Sequence, residues 1–288
     1  MYPPLWTRCL RLYGLRFPIE RGKSRVAKWA FSHMPRLTES FMASMNNQFQ
    51  VELWPWLWGD FCSYILGSPE IYHLMYFRSR LHEDSIVFDI GAYIGTYALA
   101  ASRIAQKGKV YAFEPDPRSA KRLLRSVQIS DIENIQVVQA ALGDHTGELP
   151  FTLTTYPPQS SLNDRPTSES DLRSISVQLE SLDDYCQARS ITHADYLKID
   201  VEGAELQVLQ GAVDTIRASR PEMIIELHET MSPSFGYTSQ DVVEFLKSMD
   251  YTLYQVLPGI RQPHLVPFSY RSGSGESRHL VIALPAQR

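Results

Sequence analysis

The chain has 288 residues, of which 44% are hydrophobic and 21% charged, and its formal net charge is −4. This composition excludes the collagen-like, disordered and disulfide-rich classes, and the length suits one large domain or two modest ones. The three cysteines, Cys9, Cys62 and Cys186, are far apart and form no CxxC pair. We therefore expect reduced thiols and a cytoplasmic protein.

The first 36 residues form a basic segment, with eight basic residues against one acid and a net charge of +7. The rest of the chain then carries −11. Short amphipathic helices in this segment would suit a membrane surface or nucleic acid. The favoured interpretation is a solvated extension packed loosely on the body, because charge runs are usually solvated. Peripheral membrane contact is kept as a hypothesis, and no nucleic-acid partner is expected.

A tryptophan-rich segment follows, in which Trp54, Trp56 and Trp58 would lie on one side of an extended chain. These rings could stack on a sugar, lie at a membrane interface or cover one end of a sheet, and the last interpretation is favoured. No segment is continuously apolar over the ~20 residues that a membrane span needs. We predict an N-terminal extension over residues 1–69 and one catalytic domain over 70–288.

Short apolar runs alternate with helical stretches from residue 86 onward. The predicted strands are 86–90, 109–113, 135–138, 196–199, 223–227 and 280–284. The predicted helices end near 104, cover 120–129 after Pro117, and fill 204–219 and 239–249. This alternation predicts an α/β fold with a mostly parallel sheet covered on both faces. The long polar connection 154–174 is predicted to be a lid, a binding loop or a disordered segment.

The first chemical motif is FDIGAYIG, in which a buried strand turns into a helix and which contains Asp89, Gly91, Ala92 and Gly95. Its G-x-x-x-G spacing differs from the dinucleotide motif G-x-G-x-x-G, so a turn without a ligand explains it equally well. Glu114 follows the next predicted strand and is placed to accept both hydroxyls of a ribose. The alternative for Glu114 is a solvated strand end.

Further acids and a histidine follow later strands. Asp144, in ALGD, could accept a hydrogen bond from a purine amine or simply form a turn. Asp200 lies at the tip of a central strand, and Glu202 opens the next helix. His228 is a candidate base at neutral pH, or a histidine with only structural hydrogen bonds. We predict a catalytic group of Asp200, Glu202 and His228. No metal is predicted, although a divalent cation on these three residues is a less favoured alternative.

Together these motifs resemble the FkbM family of S-adenosylmethionine-dependent class I methyltransferases. The resemblance covers residues 70–285 and rests on FDIGAYIGTY, VYAFEPDP, ALGD, SSL, LESLDDY, LKIDVEGAELQVLQGA and PEMIIELHE. It implies a three-layer Rossmann-like fold with a mostly parallel seven-stranded sheet and an antiparallel last strand. Residues 252–256 and 278–284 would form the final hairpin, and a helical, aromatic extension would precede the domain.

The resemblance also implies S-adenosylmethionine as the cofactor. The cofactor-binding residues would be Asp89, Gly91, Ala92, Gly95, Glu114 and Asp144. Glu114 would hold the ribose hydroxyls, Asp144 would lie near the adenine amine, and Asp200 would lie near the transferable methyl. The implied reaction is O-methylation of a hydroxyl on a sugar, a glycan or a secondary metabolite.

Two other functions stay open. A nicotinamide-dependent oxidoreductase of Rossmann type would share the ribose-binding acid but lacks the G-x-G-x-x-G motif. A catalytically inactive cofactor-binding scaffold protein would not need the full set of strand-tip acids. Because residues 1–36 lie outside every motif, we expect their deletion to spare cofactor binding.

Overall fold

An eight-stranded mixed sheet forms the centre of the molecule, in a computed structural model that describes residues 4–16, 23–35, 38–45, 49–67, 70–154, 173–258, 262–270 and 278–286. The strands are β1 (Phe41–Met45), β2 (Phe49–Leu53), β3 (Ile86–Ile90), β4 (Lys109–Phe113), β5 (Ile135–Val138), β6 (Ala141–Gly143), β7 (Gly147–Leu153), β8 (Arg173–Ser181), β9 (Tyr196–Ile199), β10 (Glu222–His228), β11 (Tyr251–Leu257), β12 (His264–Pro267) and β13 (Arg278–Pro285). The helices are α1 (Leu5–Arg16), α2 (Lys23–His33), α3 (Trp58–Leu66), α4 (Ile71–Arg80), α5 (Thr96–Ser102), α6 (Pro117–Ile129), α7 (Leu182–Ala188), α8 (Glu205–Gln210), α9 (Val213–Ser219) and α10 (Ser239–Ser248), with a short 3-10 helix at Ser232–Phe235.

The strand order across this sheet is β12-β11-β13-β10-β9-β3-β4-β5. Strands β10, β9, β3, β4 and β5 are parallel, and β13 lies antiparallel between β10 and β11. The predicted parallel sheet and antiparallel final hairpin are confirmed, and β12 adds an eighth strand at the edge beside β11. Because the strand order reverses at β3, the carboxyl ends of β3 and β9 border the crevice where such folds bind ligands.

Side chains from the two faces of the sheet belong to separate apolar clusters. On one face, Val87 and Val110 pack with buried side chains of α4, α5 and α6. On the other face, Phe88, Ile90 and Phe113 pack with buried side chains of α7, α8, α9 and α10. This alternation along the strands is the period of two expected of a sheet buried on both sides. The three-layer α/β architecture is confirmed.

The N-terminal extension packs more closely than the sequence predicts. Helices α1 and α2 both contact α3, and Phe61 of α3 belongs to the same apolar cluster as Val87 of β3. Arg11 in α1 donates hydrogen bonds to the carbonyl oxygens of Tyr64 at 2.8 Å and Ser44 at 2.6 Å. These contacts replace the loose packing expected of a solvated arm. The domain boundary after residue 69 stays a prediction.

The tryptophan-rich segment is a turn and not an extended chain. Pro55 and Trp56 lie in the turn, and α3 begins at Trp58. The fixed φ of proline favours this turn. Trp54 and Trp56 stack with ring centroids 5.4 Å apart, whereas Trp58 meets Phe31 edge to face at 5.3 Å. The three rings therefore do not form a single row.

The segment 204–219, predicted as one helix, forms the two helices α8 and α9, separated by Gly211 and Ala212. Glycine is a weak helix former, and the Gly211 carbonyl accepts the N–H of Asp183 at 2.9 Å. This bond draws the chain away from a continuous helix and toward α7.

A small sheet of order β6-β8-β7 was not foreseen from the sequence. The antiparallel strands β7 and β8 flank the polar connection 154–174. Residues 155–172 of this connection lie outside the described residues. No helix in the described ranges combines the length and the apolarity that a membrane crossing requires.

Candidate active site

The glycine turn after β3 brings the ends of β3, β4 and β9 together. Gly91 has a φ of +75°, and a Cβ at this position would lie 1.8 Å from the carbonyl oxygen of Asp200. Only glycine permits both this φ and this approach. The N–H groups of Gly91 and Ala92 donate to the Phe113 carbonyl at 3.0 and 2.9 Å, and Gly95, with a φ of +84°, leads into α5. The backbone itself thus fixes the turn against its neighbours.

Lys198 of β9 is a buried cation between two acids. Its Nζ donates to the Gly91 carbonyl at 2.6 Å and lies 3.4 Å from both Asp89 Oδ1 and Asp200 Oδ2. Burial acts to lower the pKa of Lys198, but Asp200 and Asp89 raise it above its ordinary value. Burial also raises the pKa of Asp89, whose Oδ2 accepts the N–H of Ala98 at 2.9 Å. Lys198 is not among the residues predicted from the motifs, although a lysine inside an apolar strand signals a buried partner.

Glu114, which follows β4, is buried with both carboxylate oxygens engaged by backbone groups. Its Oε2 accepts the N–H of Tyr93 at 2.7 Å, and its Oε1 accepts the N–H of Asp116 at 2.8 Å. Burial raises the pKa of Glu114 to about 7. Since a carboxylate oxygen has two lone pairs, each oxygen keeps one for a further donor. This geometry suits a ligand with two adjacent hydroxyls.

Asp144 differs from the other predicted cofactor-binding residues because it lies at the surface. Its side chain is 41% exposed, and its Oδ1 lies 2.6 Å from Nδ1 of His145. The contacts of the described residues do not join Asp144 to Asp89, Glu114 or Asp200. A role for Asp144 at the adenine therefore stays a prediction.

A second polar cluster lies where the parallel neighbours β9 and β10 end. Asp200, Glu226 and His228 each place one potential ligand atom in it, and these atoms lie within 4.8 Å of one another. Glu202 joins them, with Oε2 3.9 Å from His228 Nε2. The structure thus brings the three predicted catalytic residues together and adds Glu226. The sequence signal for Glu226 is an acid inside the apolar strand MIIELH.

The carboxyl groups of Asp200 and Glu226 share this cluster and interact directly. Burial and the charge of Asp200 raise the pKa of Glu226 to about 9. Burial works in the same direction on Asp200, but the charges of Lys198 and His228 lower the pKa of Asp200 below its ordinary value. At neutral pH the pair therefore holds one proton on Glu226, and Asp200 is ionised.

His228 is held from behind by an acid. Its Nδ1 lies 3.0 Å from Glu205 Oε1, which also accepts the N–H of Gly203 at 2.9 Å. Although burial acts to lower it, Glu205 and Asp200 raise the pKa of His228 to about 9. An imidazole with this pKa is protonated at pH 7. In the protein without a bound ligand, His228 therefore cannot act as the proton acceptor.

A buried ion pair connects the extension to the glycine turn. Asp60 of α3 pairs with Arg122 of α6, and their side chains are 0% and 3% exposed. Asp60 Oδ1 also accepts the hydroxyl of Tyr93 at 2.6 Å, and the Arg122 guanidinium lies 4.4 Å from the ring centre of Trp54. Since Tyr93 lies in the turn beside Ala92, the extension directly supports the backbone of the candidate site.

A sheet of this strand order, with a glycine turn and acids at neighbouring strand ends, is typical of α/β proteins that bind a nucleoside cofactor. Residues 89–253, more than half of the chain, match the family described as methyltransferase FkbM domain. The chain belongs to this family, and the resemblance drawn from the sequence motifs is confirmed.

Two curated relatives are each 26% identical to this chain. The 2-O-methyltransferase NoeI of Sinorhizobium fredii matches over 48% of this chain and 61% of its own length. The hexuronic acid methyltransferase AglP of Haloferax volcanii matches over 58% of this chain and 65% of its own length. The chain thus spans less than two thirds of each relative. The crystal structure of methyltransferase FkbM from Methylobacillus flagellatus superposes with a TM-score of 0.45 at 19% identity, covering 79% of this chain and 53% of that one.

Proposed function

We propose that this protein is an S-adenosylmethionine-dependent O-methyltransferase that acts on a hydroxyl of a sugar, a glycan or a small metabolite. The observation that carries the proposal is the placement of Asp89, Glu114 and Asp200 at the ends of three adjacent strands around Gly91. Membership of the family supports methyl transfer. The names of the two relatives, a 2-O-methyltransferase and a hexuronic acid methyltransferase, support a hydroxylated or sugar-acid acceptor.

The donor set at the glycine turn suits this cofactor. Glu114 keeps one lone pair on each oxygen for the two ribose hydroxyls. Asp89 Oδ1 is buried and pairs with Lys198 Nζ at 3.4 Å, and its second lone pair is available to a donor of the methionine part. We place the methionine part along Asp89, Gly91, Ala92 and Gly95. These assignments, with Asp144 at the adenine, form part of the proposal.

The cofactor, when bound, supplies a methyl group attached to a sulfonium sulfur. The thioether that remains after transfer is a good leaving group. The chain must then align the acceptor hydroxyl and take its proton. Asp200 is suited to this task because its pKa is lowered and it is ionised at neutral pH. As the acceptor oxygen bonds to carbon its proton becomes strongly acidic, so even a weakly basic carboxylate can accept it. Lys198 holds Asp200 in place, while Glu202 and His228 flank it.

A calorimetric titration of the full chain tests this function against the two alternatives. We expect S-adenosylmethionine to bind at one site per chain and NAD not to bind. Binding of NAD in place of S-adenosylmethionine would support the oxidoreductase. Binding of S-adenosylmethionine without transfer to any of a broad set of hydroxylated acceptors would support the scaffold.

The affinity for S-adenosylmethionine is expected to depend on pH through Glu114. The ribose hydroxyls donate to the ionised carboxylate, and the pKa of Glu114 in the free protein is about 7. Binding should therefore tighten as the pH rises, with a dissociation constant about tenfold lower at pH 8 than at pH 6. Calorimetric titrations at several pH values measure this change.

Glu114→Gln should remove this pH dependence and weaken binding about 10- to 100-fold, since hydrogen bonds to a charged group are lost. Glu133→Gln is the matched control, because Glu133 is an exposed surface acid. A pH profile that is the same in wild type and Glu114→Gln would remove Glu114 from the cofactor site.

The outward face of α1 supports peripheral membrane contact. Leu5, Leu12 and Leu15 are 73%, 55% and 44% exposed, and their spacing places them with the exposed Arg8 on one side of the helix. Apolar side chains beside a basic one suit the interface of an anionic bilayer. We accordingly place the activity in the cytoplasm at a membrane surface, and the three unpaired cysteines support a reducing compartment.

We expect the full chain to sediment with phosphatidylserine vesicles and the double variant L12S/L15S to bind at least about tenfold more weakly, because two leucines lose their apolar contact. Leu124→Ser is the matched control, since Leu124 of α6 is 44% exposed, as Leu15 is. Equal sedimentation of the double variant and the control would exclude α1 as the membrane contact.

A further inference from the structure

We propose that Asp200, Glu226 and His228 bind a divalent metal cation at the ends of β9 and β10. The cation's role, to bind and orient the acceptor oxygen, rests on the proposed function, whereas the site itself does not. The sequence motifs alone predict no metal at this site. The less favoured alternative from the sequence is a cation on Asp200, Glu202 and His228, and the structure favours Glu226 as a ligand in place of Glu202.

The unusual atom in the cluster is Nε2 of His228. The side chain of His228 is 5% exposed, and Nε2 has no hydrogen-bond partner among the described residues. The nearest charged oxygens are Glu226 Oε2 at 3.8 Å and Glu202 Oε2 at 3.9 Å. These separations are too long for hydrogen bonds, but they leave room for an ion between the groups. A buried nitrogen without a partner requires an explanation, and a bound cation supplies one.

The other ring nitrogen of His228 has the partner that a metal-binding histidine normally has. Nδ1 faces Glu205 Oε1 at 3.0 Å, and the Glu205 side chain is fully buried. A carboxylate at this position accepts the hydrogen bond that Nδ1–H donates, so that Nδ1 keeps its proton and a cation that displaces the proton of Nε2 to solvent meets the Nε2 lone pair. The N–H of Gly203 holds the same Glu205 oxygen at 2.9 Å, so the supporting group is itself fixed.

The carboxylates of the cluster are also arranged to leave ligand atoms free for a cation. Arg278 pairs with Glu226 Oε1 at 3.1 Å, which leaves Oε2 on the side of His228. Other acids also lie around the cluster, and the lysine and arginine that face it are Lys198 and Arg278; these acids are Asp200, Glu202, Glu205, Glu70 and Asp89.

The ligand set indicates the kind of cation. Two carboxylate oxygens and one imidazole nitrogen suit a six-coordinate divalent ion such as Mn²⁺, because carboxylates favour Mg²⁺ and Mn²⁺ while imidazole favours transition metals. The three ligand atoms lie within 4.8 Å of one another. The remaining coordination positions would go to water or to the acceptor oxygen, beside the proposed position of the methyl group.

The test is a titration of the full chain with Mn²⁺ alone, without cofactor or acceptor, in which electron paramagnetic resonance measures the free ion. We expect one bound Mn²⁺ per chain, and at least about tenfold weaker binding in Glu226→Gln and in His228→Gln. Glu244→Gln is the matched control, since Glu244 lies exposed on α10, and it should bind as wild type does. Circular dichroism of each variant verifies that it is folded.

The proposal is overturned if wild type binds no Mn²⁺ up to about 1 mM, or if Glu226→Gln and His228→Gln both bind it as tightly as wild type. Titrating S-adenosylmethionine into the same metal-free samples distinguishes a failure of the cation site from a failure of the proposed function. Cofactor binding without Mn²⁺ binding would remove the cation site alone. Mn²⁺ binding without cofactor binding would leave the cation site and remove the proposed function.

Discussion

Replacing Asp200 with asparagine is expected to lower the rate of methyl transfer by about 10²- to 10⁴-fold, the range found when a proton-accepting group is lost. Asparagine keeps the shape of the side chain but cannot accept the proton of the acceptor hydroxyl. It also removes one of the two acids that pair with Lys198. The turnover number is measured by transfer of an isotope-labelled methyl, and cofactor affinity by calorimetry.

The affinity of Asp200→Asn for S-adenosylmethionine should change much less than the rate, because Glu114 and the glycine turn are intact. Asp131→Asn is the matched control. Asp131 is exposed and has a φ of +51°, a conformation that asparagine also adopts readily. A turnover number for Asp200→Asn within about threefold of wild type would remove Asp200 from the proton transfer.

Replacing Asp60 with asparagine is expected to lower the free energy of unfolding by about 3–5 kcal/mol, because it leaves the Arg122 guanidinium buried without its counter-ion. Both side chains are almost fully buried, and Asp60 also receives hydrogen bonds from the Tyr93 hydroxyl and the Trp54 N–H. Urea unfolding measures the change. Cofactor affinity should fall as well, since Tyr93 lies in the glycine turn and its N–H holds Glu114.

The matched control is Glu83→Gln, which removes the exposed ion pair between Glu83 and Lys107. It should change stability by less than about 1 kcal/mol, as exposed pairs normally do. If Asp60→Asn does not fold, Tyr93→Phe keeps the ion pair and removes two hydrogen bonds, the one donated to Asp60 and the one accepted from Arg122, at a cost of about 2 kcal/mol. An effect of Asp60→Asn no larger than that of Glu83→Gln would show that this ion pair does not hold the extension to the site.

The parallel sheet and the position of the crevice could be predicted because their signals are local. Apolar runs such as 86–90 and 196–199 form buried strands, and both end in an acid or a glycine turn. Once those strands are parallel neighbours, their carboxyl ends must meet. This is why Gly91 and Asp200, more than 100 residues apart, could be assigned to one crevice.

Other parts of the site depend on contacts that a single sequence does not reveal. Lys198 and Glu226 lie within apolar strands, and only the folded sheet shows which groups face them. Asp60 and Arg122 pair across two helices that no motif connects. The packing of α1 could not be foreseen either, because its charge suggests solvent, whereas Arg11 hydrogen-bonds to α3 and Trp6 packs against Phe61 of that helix.

The most direct test of the central claim is transfer of a labelled methyl group from S-adenosylmethionine to a panel of sugars, glycans and small hydroxylated metabolites, with and without Mn²⁺. We expect a methyl ether product from wild type and from Asp131→Asn, and almost none from Asp200→Asn. The account would be contradicted if wild type binds the cofactor but transfers no label to any acceptor, either with or without Mn²⁺. It would also be contradicted if Asp200→Asn transfers the methyl group as fast as wild type.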